Sequence, residues 1–201
     1  MFDTSLRRHI DPILNRIGKG LASLGITANA VTFAGFGIGV AAAGAIVYGH
    51  MIWGLALILL SRLCDGLDGA VARATQKSDL GGFYDIVLDF AFYGMIPAAF
   101  VLHDPAANGW AGAILLLTFY VNGASFLAYA WLAEKAGVSE AERGSKSLLY
   151  TTGLAEASET LFVFVLFCLL PGWFSVTALV FSAIVIATTI ARFGLARQNF
   201  S

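Results

Sequence analysis

Long apolar segments, separated by short polar ones, make up most of the chain after residue 30. Each segment is close to the roughly 20 residues that a helix needs to cross the hydrocarbon core of a bilayer. The predicted spans, six in number, are 30–49, 52–75, 80–103, 109–134, 148–170 and 173–195. The pattern predicts an all-α integral membrane protein, a single membrane domain over 1–201 in which 30–195 form a six-helix bundle.

The segment before the first span, residues 1–24, has a different pattern. Apolar side chains recur there at steps of three and four, with basic side chains between them: Leu6, Ile10, Ile13, Ile17 and Leu21 against Arg7, Arg8, Arg16 and Lys19. This is typical of an amphipathic helix on the membrane surface, with its basic side chains toward anionic headgroups. An ordinary helix packed on the bundle is the alternative. We expect no secretory signal peptide, because charges interrupt the apolar positions.

Composition agrees with a membrane protein and excludes other classes. Of 201 residues, 58% are hydrophobic and 12% are charged, and the mean hydropathy is +0.79. These values lie well outside the range of soluble domains. The net charge of −1 gives no indication of nucleic-acid binding. Cys64 and Cys168 lie in apolar segments without paired spacing, so we predict small buried hydrophobes rather than a disulfide or a thiolate metal site.

The basic residues predict the orientation. They precede span one, lie between spans two and three and between spans four and five, and follow span six, whereas the opposite loops contain no Lys or Arg. By the positive-inside rule, both termini are cytoplasmic in a multi-pass protein of the cell (inner) membrane.

Carboxylates within the apolar spans are the main candidate for chemistry. Asp65 and Asp68 lie near the cytoplasmic end of span two, and Asp85 and Asp89 lie at a similar depth, ~10 to 15 Å, in span three. Steps of three and four residues place each pair on one helix face, so we expect the two pairs to form one cluster.

Such a cluster needs compensation, because a charged side chain at mid-membrane costs at least about 2.5 kcal/mol. Oxygen ligands from two helices are suited to Mg²⁺ or Mn²⁺, which is the interpretation that we favour. Salt bridges with Arg62 and Arg73 that hold the bundle together are one alternative. A divalent-cation or proton-coupled transporter that uses the same carboxylates is the other.

The segment DGLDGAVARATQKSDLGGFYDIVLD resembles the signature of the CDP-alcohol phosphotransferase (CDP-alcohol phosphatidyltransferase) family. The matching positions are Asp65, Asp68, Gly69, Ala72, Arg73, Gly81, Asp85 and Asp89. The interval 74–80, in the predicted cytoplasmic turn, is one residue shorter than is usual in the family. A weaker match is found at the start of span one, where Thr27 and Asn29 are present and Ala28 replaces a proline.

The resemblance implies a fold, an activity and a set of site residues. The fold would be six spans after a surface helix, and the enzyme a homodimer. It would transfer a substituted phosphate group, most often phosphatidyl from CDP-diacylglycerol, to a small alcohol and release CMP in phospholipid biosynthesis. Asp65, Asp68, Asp85 and Asp89 would hold two divalent ions, and Asp89 would also be the catalytic base. The nucleotide contacts would be Asn29, Gly69, Ala72, Arg73, Ser78 and Gly81.

The acceptor alcohol is not identified by the sequence, but three residues are candidates for its pocket. Glu156 and Glu159 lie three residues apart near the cytoplasmic end of span five, and Arg192 lies at the inner edge of span six. The acids would bind an amine or a hydroxyl, and the arginine a phosphate or a carboxylate. Two alternatives remain open. The acids would form ion pairs with Arg192 or Arg62 that hold the helices together, or Arg192 would snorkel to the headgroups.

Overall fold

The computed structural model describes residues 2–137 and 157–200, with side chains described from residue 11 onward. The helices are α1 (Phe2–Ser23), α2 (Ala28–Val47), α3 (Met51–Ala74), α4 (Asp79–His103), α5 (Pro105–Lys135), α6 (Ala157–Leu169) and α7 (Phe174–Phe200). A 3₁₀ turn, Pro171–Trp173, precedes α7. These residues contain no strand, which confirms the all-α prediction for the described part of the chain.

Local sequence explains where the first helices begin. Thr27 accepts a hydrogen bond from the Ala30 backbone N–H at 3.2 Å and caps α2, and Ser78 does the same for Gly81 at 3.0 Å at the start of α4. Gly25 and Gly49, with φ of 78° and 82°, make the turns before α2 and after it. Only glycine adopts such angles without strain, so the connections can stay short.

Of the described helices, four are long and apolar enough to cross a membrane: Ala28–Val47, Asp79–His103, Pro105–Lys135 and Pro171–Phe200. Helix α3 has 24 residues but is not among them, and it carries Arg62, Asp65 and Asp68 in its apolar stretch. Helix α6 has 13 residues, and the first part of its predicted span, 148–170, lies outside the described residues. The count of six spans and the surface position of α1 stay predictions.

The chain forms two compact units, Met1–Pro105 and Ala106–Ser201, and the prediction of a single domain stays untested. In the first unit, α2 packs against α3 and α4, and α1 packs along α3. A Cβ built on Gly35 would lie 2.8 Å from Cys64 Cβ, and one on Gly39 would lie 2.8 Å from Phe92 Cδ2. Glycines therefore let α2 approach both neighbours closely, as is common between membrane helices.

In the second unit, polar side chains join α5 to α7 within an apolar surrounding. Thr189 Oγ1 donates to Asn122 Oδ1 at 3.3 Å, and Asn199 Nδ2 donates to Tyr129 Oη at 3.1 Å. Cys168 on α6 is buried, as predicted, whereas Cys64 in the first unit is half-buried.

Candidate active site

Three of the predicted carboxylates converge in the first unit. Asp65, Asp68 and Asp85 each place one carboxylate oxygen within 4.8 Å of the other two. Asp65 and Asp68 are one turn apart on α3, and the adjacent α4 brings Asp85 to the same place. Asp68 is the most enclosed, with 6% of its surface exposed. Three converging carboxylate oxygens are a ligand set that suits Mg²⁺ or Mn²⁺, and further ligands would come from substrate or water.

The fourth carboxylate, Asp89, makes a different contact. Its Oδ1 accepts a hydrogen bond from Arg62 Nη1 at 2.7 Å, and the same nitrogen lies 3.4 Å from Asp65 Oδ1. The Arg62 guanidinium carbon lies 3.8 Å from the centroid of the Phe92 ring. Arg62 therefore offsets part of the negative charge, and Asp89 lies beside the cluster, bordering with the other three aspartates a cavity of about 10 Å³.

Thr32 on α2 contacts Asp68, the most buried carboxylate of the cluster, and the sequence pattern gave no prediction for it. Its Oγ1 donates to Asp68 Oδ2 at 2.6 Å and also lies 3.0 Å from the Ala28 carbonyl oxygen. A hydroxyl in an apolar span is a weak signal, since threonine often bonds its own helix backbone. Its role depends on the packing of α2 against α3, which single-helix periodicity does not specify.

Thr32→Val should weaken metal binding without unfolding the protein. Valine keeps the shape of threonine, but Asp68 loses the donor that orients its Oδ2. Loss of a partner of a metal ligand typically lowers affinity 10- to 100-fold, so we expect a change of about that size. Mn²⁺ titration of the purified protein, followed by electron paramagnetic resonance, would measure it. Unchanged Mn²⁺ affinity would contradict this role for Thr32.

A cavity of about 470 Å³ adjoins the carboxylates, at the point where α2 starts, α3 ends and α4 starts. It is lined by all of the predicted nucleotide contacts: Asn29, Gly69, Ala72, Arg73, Ser78 and Gly81. Asp68 and Asp85 also line it. Residues 40 or more positions apart in the chain are thus brought to one site, next to the proposed metal ligands.

Space is tight around two of these glycines. A Cβ built on Gly81 would lie 3.0 Å from Ser78 Oγ and 3.1 Å from Asn29 Oδ1. One built on Gly69 would lie 3.3 Å from Arg73 Nη1. Larger residues here would crowd the polar groups that face the cavity.

The short turn between α3 and α4 also contributes to the cavity. Thr75, Gln76 and Lys77 line it, and none of them was predicted as a contact from the sequence. Lys77 adds a second cation to Arg73. The signal that could have identified Lys77 is its position inside the motif, in the interval that is one residue short.

The acceptor candidates belong to the second unit. Arg192 Nη1 donates to the Asn122 carbonyl at 3.0 Å, to Asn122 Oδ1 at 2.8 Å and to Ser125 Oγ at 2.6 Å. Glu159 Oε2 accepts from Ser158 at 3.0 Å, and Glu156 lies outside the described residues. Among the described residues, the hydrogen-bond partners of Arg192 are neutral groups.

Comparisons with known proteins agree with these features. The CDP-alcohol phosphatidyltransferase family profile matches residues 25–191. Inner membrane protein YnjF of Escherichia coli K12 is 44% identical over 192 residues, which cover 96% of this chain and 93% of that protein. An archaetidylinositol phosphate synthase of Methanothermobacter thermautotrophicus is 32% identical over 157 residues, which cover 76% of this chain and 74% of that protein.

Solved structures share the fold. Phosphatidylinositol phosphate synthase PgsA1 of Mycobacterium tuberculosis with CDP-DAG bound superposes with a TM-score of 0.72 at 22% identity, covering 91% of this chain and 92% of that one. The same enzyme in complex with manganese and citrate gives a TM-score of 0.66 at 20% identity, covering 90% and 87%. The family match over most of the chain decides the identification. The chain belongs to the CDP-alcohol phosphatidyltransferase family and is a membrane-embedded transferase of phosphate-containing groups in phospholipid biosynthesis.

Proposed function

We propose that this protein transfers a phosphatidyl group from CDP-diacylglycerol to a small phosphorylated alcohol and releases CMP. The observation that carries the proposal is the cavity of about 470 Å³ in which the nucleotide residues and the carboxylates Asp68 and Asp85 meet. Its mixed lining of backbone, polar side chains and two cations suits a nucleoside diphosphate.

The residues divide the binding of the donor between them. Arg73 and Lys77 supply positive charge for the diphosphate, and Gly69 and Gly81 leave space for it. Asn29 and Ser78, at the starts of α2 and α4, offer polar groups to the cytidine part. The lipid tails would extend into the bilayer beside the apolar helices.

Asp65, Asp68, Asp85 and Asp89 would hold two divalent ions, Mg²⁺ or Mn²⁺. When bound, such ions neutralise diphosphate charge and make CMP a better leaving group. Asp89 takes the proton of the acceptor hydroxyl as the new P–O bond forms and the P–O bond to CMP breaks. The apolar surrounding limits the access of water, which would otherwise hydrolyse the donor.

The proposed acceptor class follows from the relatives and from Arg192. An archaetidylinositol phosphate synthase is among the relatives, and a phosphatidylinositol phosphate synthase shares the fold. Arg192 is bound to neutral groups in the described part of the chain, and a guanidinium in this setting suits a phosphate. Glu156 and Glu159 would contact the acceptor hydroxyls.

We place both termini and the active site on the cytoplasmic side and propose a homodimer.

A panel of acceptors tests the proposal. Purified protein in mixed micelles would receive CDP-diacylglycerol, Mg²⁺ or Mn²⁺, and either inositol phosphate, glycerol phosphate, serine or choline. We expect CMP release with a phosphorylated alcohol only, and Arg192→Gln should raise the KM for that acceptor about tenfold or more, by loss of a charge-assisted contact. Products with serine or choline would contradict the acceptor class. Ion movement in sealed vesicles without CDP-lipid, and no CMP release, would favour the transporter.

A further inference from the structure

Helix α1 lies in close contact with the end of α3 that carries the nucleotide residues. A Cβ built on Gly18 would lie 2.7 Å from Ala70 Cβ and 2.9 Å from the Ala70 carbonyl carbon. One turn earlier on α1, Leu14 is buried, and its Cδ1 would lie 2.9 Å from a Cβ on Gly66. Small residues at two levels therefore fix the register of α1 along α3.

Asn15 lies between these two contacts and reaches Arg73. Its Oδ1 accepts hydrogen bonds from Arg73 Nη2 at 3.0 Å and from Arg73 Nε at 3.3 Å. These are the polar contacts of Arg73 within the described residues, and no described carboxylate lies within ion-pair distance of it. The remaining nitrogen, Nη1, lies toward Gly69 at the wall of the cavity.

The contact between Asn15 and Arg73 orients the guanidinium for binding of a phosphate. An arginine side chain loses rotamer entropy when it is held in one geometry. Two bonds to one oxygen already fix one edge of the guanidinium, so less freedom is lost when a ligand binds. Asn15 is neutral, so it does not compete with a phosphate for the charge of Arg73, as an aspartate would.

We infer that Asn15 is a positioning residue for Arg73, and that α1 is thereby part of the nucleotide site. The inference rests on the proposed function, in which Arg73 binds the diphosphate. Ala22, further along α1, lines the same cavity and supports this view. Ile13 and Ile17, on the other side of α1, are 62% and 45% exposed, so the helix can contact lipid while it holds Arg73.

The test compares ligands with and without a phosphate. Inhibition constants of CDP and of cytidine would be measured against CMP release by the full-length protein. Ordering a flexible side chain on binding lowers affinity by up to about tenfold, so in Asn15→Leu, which leaves Arg73 to be ordered by the ligand, we expect CDP to bind up to about tenfold more weakly. Cytidine has no phosphate to meet Arg73, and its inhibition constant should not change.

Two further variants separate the possible causes. Gly20→Ala, on the same helix at a position with open space around it, is the control and should leave both constants unchanged. In an Arg73→Ala background, Asn15→Leu should cause no further loss of CDP affinity, because no guanidinium remains for Asn15 to hold. If Asn15→Leu unfolds early in a thermal melt, Asn15→Ala takes its place.

The remaining outcomes would refute either the positioning role of Asn15 or the diphosphate contact of Arg73. An equal loss for cytidine and CDP, no loss for CDP, or an undiminished effect of Asn15→Leu in the Arg73→Ala background would each refute the positioning role. Unchanged CDP affinity in Arg73→Ala alone would instead refute the diphosphate contact in the proposed function. The two failures are therefore distinguishable.

Discussion

Asp68→Asn should lower CMP release by at least about 100-fold and abolish measurable Mn²⁺ binding. Asp68 is the most buried member of the three carboxylates whose oxygens lie within 4.8 Å of one another. Asparagine has the same shape and can still accept the hydrogen bond from Thr32, so the packing should survive. What is lost is the negative charge that a divalent ion requires of its ligand. Radiolabelled CMP release and Mn²⁺ titration would measure both effects.

Asp79→Asn is the matched control for that variant. Asp79 starts the same α4 that carries Asp85 but is exposed and lies outside the cluster and the cavity. The same change of charge there should leave Mn²⁺ affinity and CMP release within about twofold, since it costs only a weak interaction with the helix terminus. Equal losses in both variants would mean that net charge, and not the ligand set, controls activity.

The sequence predicted the acidic cluster, because its aspartates recur at helical spacing. Asp65 and Asp68 are one turn apart, and Asp85 is on the next helix, so periodicity alone predicted a convergence that the structure contains. The nucleotide residues were named from a resemblance to a family, and the fold brings all of them to one cavity. Their roles in binding and catalysis stay predictions.

The sequence did not predict which individual atoms meet between helices. Thr32 and Asn15 contact Asp68 and Arg73 on α3, and neither residue type stands out in its own segment. The sequence predicted that Arg62 could pair with the acidic cluster, without specifying a carboxylate. That it binds Asp89 depends on how α3 and α4 are rotated about their axes. Hydrophobic periodicity places a residue on a face without specifying the atom that it meets.

The pairing of Asp89 with Arg62 bears directly on the proposed base. One carboxylate oxygen, Oδ1, is engaged by Arg62 Nη1 at 2.7 Å. A base must accept the acceptor proton on Oδ2, or the ion pair must open when substrate binds. While the ion pair is closed, Arg62 limits the directions that the carboxylate can take, since its guanidinium is also held over the Phe92 ring.

Asp89→Asn should lower the rate of transfer about 10²- to 10⁴-fold, the usual contribution of a general base, while CDP binding changes little. The amide oxygen can still accept from Arg62, so the local packing should survive. An amide cannot take the proton of the alcohol at neutral pH, and, with Mn²⁺ at a saturating concentration to offset the weaker ligand at this position, the loss should therefore fall on kcat rather than on the KM for CDP-diacylglycerol. Single-turnover CMP release at saturating donor would measure it. Transfer at the full rate would refute the base assignment, and a parallel loss of CDP affinity would mean that Asp89 acts mainly in donor binding.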